Sequence, residues 1–334
     1  MRLYFYLITH HKKLWVFPFW LILYFLSLLY RQFILFRRRK GYEHQYPDAY
    51  IISVGNITTG GTGKTEAAAY LSRILSPEIR TAIILRGYRG TRSRTPLIVG
   101  PGSPVRETGD EALLLSEKTT SLVIVSRKKR AGVELALQKG YKFIILDDAF
   151  QHWDLDRDYN LVLIDYTNPF GNGHLLPAGI LREPLSSLSD ANAFFISKCE
   201  KKINRRNDLI RTIRLYHSAA PIFVSRYKFK GVALKGQNLS LRKIKGKRLV
   251  VFSGIGNTKY FIHQVREHLS PKSMKVLAYP DHHSYTRPDI DRIRQYLEHD
   301  YDYCLCTEKD AVKTREFGFH PLVFRIELSV QQVC

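Results

Sequence analysis

The sequence predicts an α/β protein: a mostly parallel sheet core of the phosphate-binding-loop (P-loop) NTPase-like type, a second smaller α/β lobe, and an N-terminal membrane-associated helix. Three observations carry this. The run Val54-Gly55-Asn56-Ile57-Thr58-Thr59-Gly60-Gly61-Thr62-Gly63-Lys64-Thr65 lies between an apolar strand segment, Tyr50 to Val54, and a helical segment from Lys64 to Ile74. Apolar strand-length segments then alternate with helical ones, and the alternation restarts near residue 249. Leu14 to Tyr30 contains no charge. The expected domains are residues 1–40 (anchoring helix), 41–220 (P-loop core), 221–247 (linker strands) and 248–334 (C-terminal α/β lobe).

Strand, glycine loop, Lys-Thr and helix is the order that binds phosphates. Glycines let backbone N–H groups turn inward around the oxygens, and the helix N-terminus adds its positive dipole end. Thr58, Thr59, Gly60, Gly61, Thr62, Gly63, Lys64 and Thr65 are the expected nucleotide contacts. Lys64 would reach the β and γ phosphates, and the Thr65 hydroxyl would ligate Mg²⁺. The full motif places a glycine where this chain has Thr58.

The chain has 334 residues, 45% apolar and 25% charged, the composition of a globular protein of about two domains. Its 52 Lys and Arg against 30 Asp and Glu give a formal charge of +22. That excess calls for an anionic partner: nucleic acid, an acidic membrane face or a phosphorylated substrate. Cys199, Cys304, Cys306 and Cys334 show no C-x-x-C spacing, which fits a reducing compartment. Cys304 and Cys306 alternate in an apolar run and are expected on one strand face.

Lys12 and Lys13 precede the charge-free run, and Arg31 and Arg37-Arg38-Arg39-Lys40 follow it. Trp15, Phe17, Phe19 and Trp20 suit an interfacial belt, and the basic flanks suit anionic headgroups. The run is read as a membrane anchor, either spanning or lying in one leaflet, with Pro18 shortening or kinking its start. The basic C-terminal flank places the following body on the cytoplasmic side.

Further along, Thr81 to Leu85 reads as a strand ending in Arg86-Gly87-Tyr88-Arg89, a loop beside the ligand crevice or a solvated basic loop. Asp110 and Glu111 open a helix to Lys118; they either complement its dipole or serve as base and Mg²⁺ ligand. Leu122 to Val125 is a strand, followed by a helix to about Lys139. Lys142 to Leu146 ends in Asp147-Asp148, the Walker-B arrangement that holds Mg²⁺. Strands at Leu161–Asp165 and Ala193–Ser197 and a basic helix at Lys201–Arg214 follow. Ile222 to Tyr227 and Gly231 to Leu234 read as two short paired strands. The last lobe is expected as strand Leu249–Ser253, helix Thr258–Leu269, strand Met274–Tyr279, helix Arg287–His299 and strand Tyr301–Cys306. Asp281-His282-His283 and Thr307-Glu308-Lys309-Asp310 stand at its strand ends.

These stretches, with Phe170-Gly171-Asn172-Gly173, Leu176-Pro177-Ala178-Gly179 and Leu181-Arg182-Glu183-Pro184, resemble the tetraacyldisaccharide 4'-kinase (lipid A 4'-kinase) family from about Leu14 to about Phe324. The resemblance implies a kinase that uses ATP and Mg²⁺ at the cytoplasmic face of the inner membrane. It would phosphorylate the 4'-hydroxyl of an acylated glucosamine disaccharide 1-phosphate, giving the lipid A precursor. It further implies Asp110 as the base, His282 as its support and Lys64 on the transferred phosphate. Thr65 and Glu111 would hold the metal, with Asp147 and Asp148 in the Walker-B role. Arg86, Tyr88, Gln151, Arg182 and Glu183 would hold the sugar or its 1-phosphate. The partners expected are this lipid and an anionic membrane surface, with neither nucleic acid nor an obligate protein partner. The chain departs from the family at Ala149, usually Gly, and at Ile180, usually Pro.

The rival reading is a membrane-associated P-loop ATPase or GTPase switch. The ATPase version lacks a second loop lysine at Thr59, and the GTPase version lacks N-K-x-D.

Overall fold

The structure is a computed structural model that describes residues 2–9, 13, 16–38, 46–87, 90, 95–199 and 203–333. In chain order its helices and strands are α1 (Arg2–Thr9), α2 (Phe17–Arg38), β1 (Tyr50–Asn56), α3 (Lys64–Leu75), β2 (Thr81–Leu85), β3 (Leu97–Val99), α4 (Val105–Thr108), α5 (Asp110–Lys118), β4 (Leu122–Val125), α6 (Lys129–Gln138), β5 (Phe143–Asp147), β6 (Tyr159–Asp165) and β7 (Ala193–Ser197). They continue with α7 (Ile203–Tyr216), β8 (Ile222–Leu234), β9 (Gln237–Leu239), β10 (Arg248–Ser253), α8 (Thr258–Leu269), β11 (Ser273–Ala278), α9 (Arg287–His299), β12 (Tyr303–Thr307), α10 (Glu308–Thr314) and β13 (Leu322–Gln332). Two compact units divide the chain, and both are discontinuous in sequence. One holds Met1–Arg86, Lys128–Arg226 and Val330–Cys334; the other holds Gly87–Arg127 and Tyr227–Ser329.

In the first unit β1 pairs in parallel with β5 on one side and β6 on the other. Strand β2 extends the sheet beyond β5, and β7 extends it beyond β6, again in parallel. Every residue of β2 is buried, as is β1 after Tyr50, so these strands read as continuous apolar runs rather than alternating ones. Parallel strands place all their C-terminal ends on one edge, where ligands of open α/β sheets bind. Ile57, Phe150, Val162, Ile164, Phe194 and Ile196 belong to the core on one side of this sheet.

Helix α2 lies along the first unit. Trp20, Ser27 and Ile34, spaced seven apart, are its buried residues. The Trp20 indole donates to the Ala178 carbonyl at 3.0 Å, and the Tyr30 hydroxyl to the Arg182 carbonyl at 3.1 Å. Arg38 pairs with Asp190 and reaches Glu183 at 3.4 Å. Phe19, Ile22, Phe25, Leu29, Phe33 and Phe36 form an exposed apolar stripe on the other face. Pro18 occupies the first turn, where its missing N–H leaves no helical bond broken. The helix, of 22 residues, has the length and composition to cross a membrane. Leu14 and Trp15 lie outside the described residues.

In the second unit β10 is flanked in parallel by β11 and β12, and β12 by β13. Helix α9 opens with a capping box, in which the side chains of Thr286 and Asp289 each bond the other's backbone N–H. Strands β3 and β4 form an antiparallel pair. Val251, Phe261, Leu305 and Phe324 mark one core cluster, and Phe252, Tyr285, Ile293 and Cys306 another. Cys304 and Cys306 are both buried in β12.

One expected element is corrected. Residues 222–227 and 231–234 do not pair with each other; they are one strand, β8, whose start pairs with β7 and whose end forms a hairpin with β9. Exposed and half-buried side chains alternate through Arg226 to Lys230, and no turn-forming pair interrupts them. Gly231, at φ 129°, takes a backbone conformation that side chains resist, and the strand runs through it. Elements α1, β3, α4, β9, α10 and β13 have no counterpart in the expected order.

Candidate active site

The expected site residues fall into two groups, one in each unit. In the first, β1 delivers the chain to the phosphate loop. Gly60 (φ 112°) and Gly63 (φ 87°) take left-handed conformations that side chains resist, and Gly63 caps α3. Thr58, in contrast, has no positive φ; it forms a β-bridge with Leu181. A β-branched residue suits that extended position, which explains the departure from glycine. The Thr59 N–H donates to the Ile180 carbonyl at 2.8 Å, and Arg182 N–H to the Ile57 carbonyl at 2.7 Å. The loop is thus stapled to 180–182.

Lys64, the first residue of α3, turns its ammonium onto the Asn56 side-chain oxygen (3.3 Å) and Asp148 (3.4 Å). Arg182 meets both Asp148 oxygens, at 2.8 and 3.2 Å, and also bonds Asn56. Gln151 donates to the Asn56 carbonyl at 2.7 Å. Burial works against the Asp148 charge, yet the Lys64 ammonium and the Arg182 bonds hold its carboxyl well below the usual carboxylate range. Asp148 is left-handed (φ 51°), whereas Ala149 after it is not, so a Cβ replaces the family's glycine there without backbone strain. Asp147 is buried at the end of β5. Arg86 is exposed beyond β2. Glu183 is buried, and its carboxyl rises above the usual range because of that burial, against the lowering effect of Ser187 and Arg38. Tyr88 lies outside the described residues.

Two residues that sequence reasoning passed over support this cluster. Asn56 received no role in the loop run, yet it is the common partner of Lys64 and Arg182. Lys129 stands in the basic run Arg127 to Arg130, and it is buried. Its ammonium donates to the carbonyls of Ile84 (3.0 Å) and Asp147 (2.6 Å), tying β2 to β5. Burial pushes it down to about 8, against the pull of Asp147 and Asp148.

The second group lies at the start of α5. His282 Nδ1 sits 3.0 Å and 3.2 Å from the two Asp110 oxygens. An ionised carboxylate only accepts, so the ring nitrogen is the donor. Burial opposes the Asp110 charge, but the His282 hydrogen bond, then the charges of His282, Lys309 and Lys313, hold its carboxyl below the usual range. The same bond raises His282, against burial. His282 is itself left-handed, at φ 55°, and its N–H donates to the Gly254 carbonyl. The Asp-His-His stretch therefore splits. His282 faces Asp110, while His283 bonds Asp289 of α9 at 3.0 Å.

Glu111 accepts from Lys309 at 2.6 Å. Burial works against its charge, and Lys309 lowers it below the usual range. Thr307-Glu308-Lys309-Asp310, one of the stretches that carry the resemblance, caps and fixes α10. Asp310 is fully buried and accepts from the Gly254 N–H (3.0 Å), the Tyr285 hydroxyl (3.0 Å) and the Thr307 hydroxyl (2.7 Å). Lys313 links Asp310 (3.1 Å) to Asp110 (3.8 Å).

Among the described residues no cluster of three or more His, Cys, Asp or Glu could hold a metal by itself. Thr65, Asp147 and Asp148 offer oxygen donors only, the chemistry of a hard cation that completes its shell with water and phosphate, as Mg²⁺ does.

The fold and the loop together define a P-loop α/β protein. A family model described as tetraacyldisaccharide-1-P 4'-kinase matches residues 19–333, and the chain belongs to that family. It is similar to tetraacyldisaccharide 4'-kinases of Syntrophotalea carbinolica (33% identity over 308 residues, 90% of this chain and 83% of that one) and Halothermothrix orenii (34% over 288 residues, 80% and 74%). A solved structure of LpxK from Aquifex aeolicus, in complex with ATP, superposes with a TM-score of 0.70 at 27% identity, covering 92% of this chain and 93% of that one.

Proposed function

We propose that the protein transfers the γ-phosphate of ATP to the 4'-hydroxyl of a tetraacyldisaccharide 1-phosphate. The observation that carries this is the family match over residues 19–333 in a chain that keeps the glycine loop, Lys64 and the Asp110–His282 pair. The loop N–H groups and the α3 N-terminus hold the β and γ phosphates, and Lys64 exchanges its Asn56 and Asp148 contacts for them. Thr65, Asp147 and Asp148 would hold Mg²⁺, which supplies charge neutralisation at the phosphates. Asp110, kept ionised by His282, receives the proton of the attacking hydroxyl. A weak base suffices, because in a loose phosphoryl-transfer transition state the hydroxyl gives up its proton late. Glu111, paired with Lys309, lends negative charge beside it. Arg86, Tyr88, Gln151, Arg182 and Glu183 serve the sugar and its 1-phosphate, directly or by fixing the residues that do.

The exposed stripe of α2 lies in one leaflet, with the body on the cytoplasmic face. Its opposite face bonds the first unit from Trp20 to Arg38, which favours a helix lying at the interface over one crossing the bilayer. The basic excess suits an anionic lipid and an anionic surface.

The test incubates the protein with MgATP and the lipid in mixed micelles, followed by mass spectrometry and phosphorus NMR of the lipid. One added phosphoryl group at the 4' position is expected. A lipid recovered unchanged while ADP accumulates would overturn the reading.

A further inference from the structure

We propose that Ser197 and Lys198, at the end of β7, are positioning residues that set the phosphate cradle from behind. The inference rests on the nucleotide-binding part of the proposed function. The Ser197 hydroxyl donates to the Thr62 carbonyl at 2.7 Å, and the Lys198 ammonium to the Gly61 carbonyl at 2.6 Å. Two consecutive carbonyls of the glycine loop are therefore drawn toward β7. In a trans peptide the C=O and the following N–H point to opposite sides of the plane. Holding these two carbonyls turns the N–H groups of Thr62 and Gly63 away from β7, as a pair aimed at one anion requires.

Both side chains are built for this. Ser197 is buried, and its backbone carbonyl accepts from Tyr166, so its hydroxyl has a fixed origin. Lys198 adopts a left-handed conformation, φ 55°, at a position where glycine would be unstrained. It also pairs with Asp165 at the end of β6, the strand beside β7. Asp165 does not depend on that pair, since its other oxygen accepts from the N–H and hydroxyl of Thr167. A lysine kept in a conformation that resists side chains, with its ammonium on a loop carbonyl, is placed for the loop.

The test measures ADP and AMP binding to the full chain by competition with a fluorescent ADP, beside thermal unfolding, for wild type, Ser197→Ala, Lys198→Met and Lys198→Gly. Each variant removes one hydrogen bond to the loop, and ADP binding weakens about tenfold in each. AMP, which lacks the β-phosphate, binds with unchanged affinity. In Lys198→Gly the backbone strain is relieved, so the unfolding temperature does not fall although ADP binding does. In turnover the KM for ATP rises and that for the lipid does not. ADP binding equal to wild type in the variants would overturn the proposal and leave the kinase reading standing. Equal weakening of AMP and ADP would also overturn it, by placing the effect on the nucleoside. Failure of the wild type to bind ADP would remove both.

Discussion

Replacing Asp110 by Asn tests the second group of residues most sharply. The carboxylate is 5% exposed, accepts from His282 at 3.0 Å and lies 3.8 Å from Lys313. The carboxamide keeps the shape but loses the charge. A hydrogen bond between ionised partners is worth about 1.5–3 kcal/mol, and removing a buried carboxylate returns part of that as relief from desolvation. A net loss of about 1–2 kcal/mol follows where the pair is fully charged. The pH window comes from the two shifts. His282 is raised above its ordinary 6.5, so its contribution is complete below 6.5 and is lost as pH rises through the higher folded value. Asp110 is lowered below 3.8, so its contribution is complete above 3.8 and is lost as pH falls through the lower folded value. Urea unfolding of wild type and Asp110→Asn at pH 5.5 and pH 9 should therefore show the larger gap at pH 5.5. Turnover should fall about a hundred- to ten-thousand-fold, the usual share of general base catalysis. A gap that is the same at both pH values, or a turnover within a few-fold of wild type, would refute the charged-pair argument.

Three further outcomes follow from the packing. A Cβ at Gly55 would lie 2.4 Å from Phe150 Cβ and 2.8 Å from its backbone nitrogen. Gly55→Ala should then cost about 1–3 kcal/mol in denaturant unfolding, and a neutral result would contradict the close approach of β1 to 150. Cys199, Cys304 and Cys306 are buried, and burial pushes Cys304 up to about 12. In a Cys334→Ser background they should resist a thiol reagent at neutral pH until denaturant is added; rapid labelling would show that the core opens more freely than its burial implies. Phe25→Asp with Leu29→Asp places two charges on the exposed stripe of α2, and flotation with anionic vesicles should fall at least tenfold while the fold is kept. Undiminished flotation would remove α2 from membrane contact.

Local signals in the sequence marked most of the strands and helices. Continuous apolar runs named β2, β4 and β7 to the residue, because strands buried on both faces leave no ambiguity of period. Helices α8 and α9 were equally legible in extent, and the structure shows a side-chain cap before each, Asn257 and Thr286. The phosphate loop declared itself through its glycines, and Asp110 with His282 through the family pattern. What stayed hidden was long-range. Nothing at Asn56 announces that two cations will share it. Lys129 stands in a run of four basic residues and is told from its neighbours only by the strand carbonyls it caps. Ser197 and Lys198 act on a loop more than a hundred positions earlier in the chain. The two units are likewise interleaved in sequence: residues 87–127 are compact with residues 227–329, an association that a linear reading of domains does not provide.

The central claim is tested most directly by following the γ-phosphate itself. Wild type and Lys64→Ala are incubated with γ-labelled ATP and Mg²⁺, with and without the tetraacyldisaccharide 1-phosphate, and label is counted in lipid and in free phosphate. The account predicts label in the lipid, ATP consumption that depends on the lipid, and at least a hundredfold loss in a Lys64→Ala protein that remains folded. Label released as free phosphate at a rate indifferent to the lipid would contradict it, and would make the protein a nucleotide hydrolase instead.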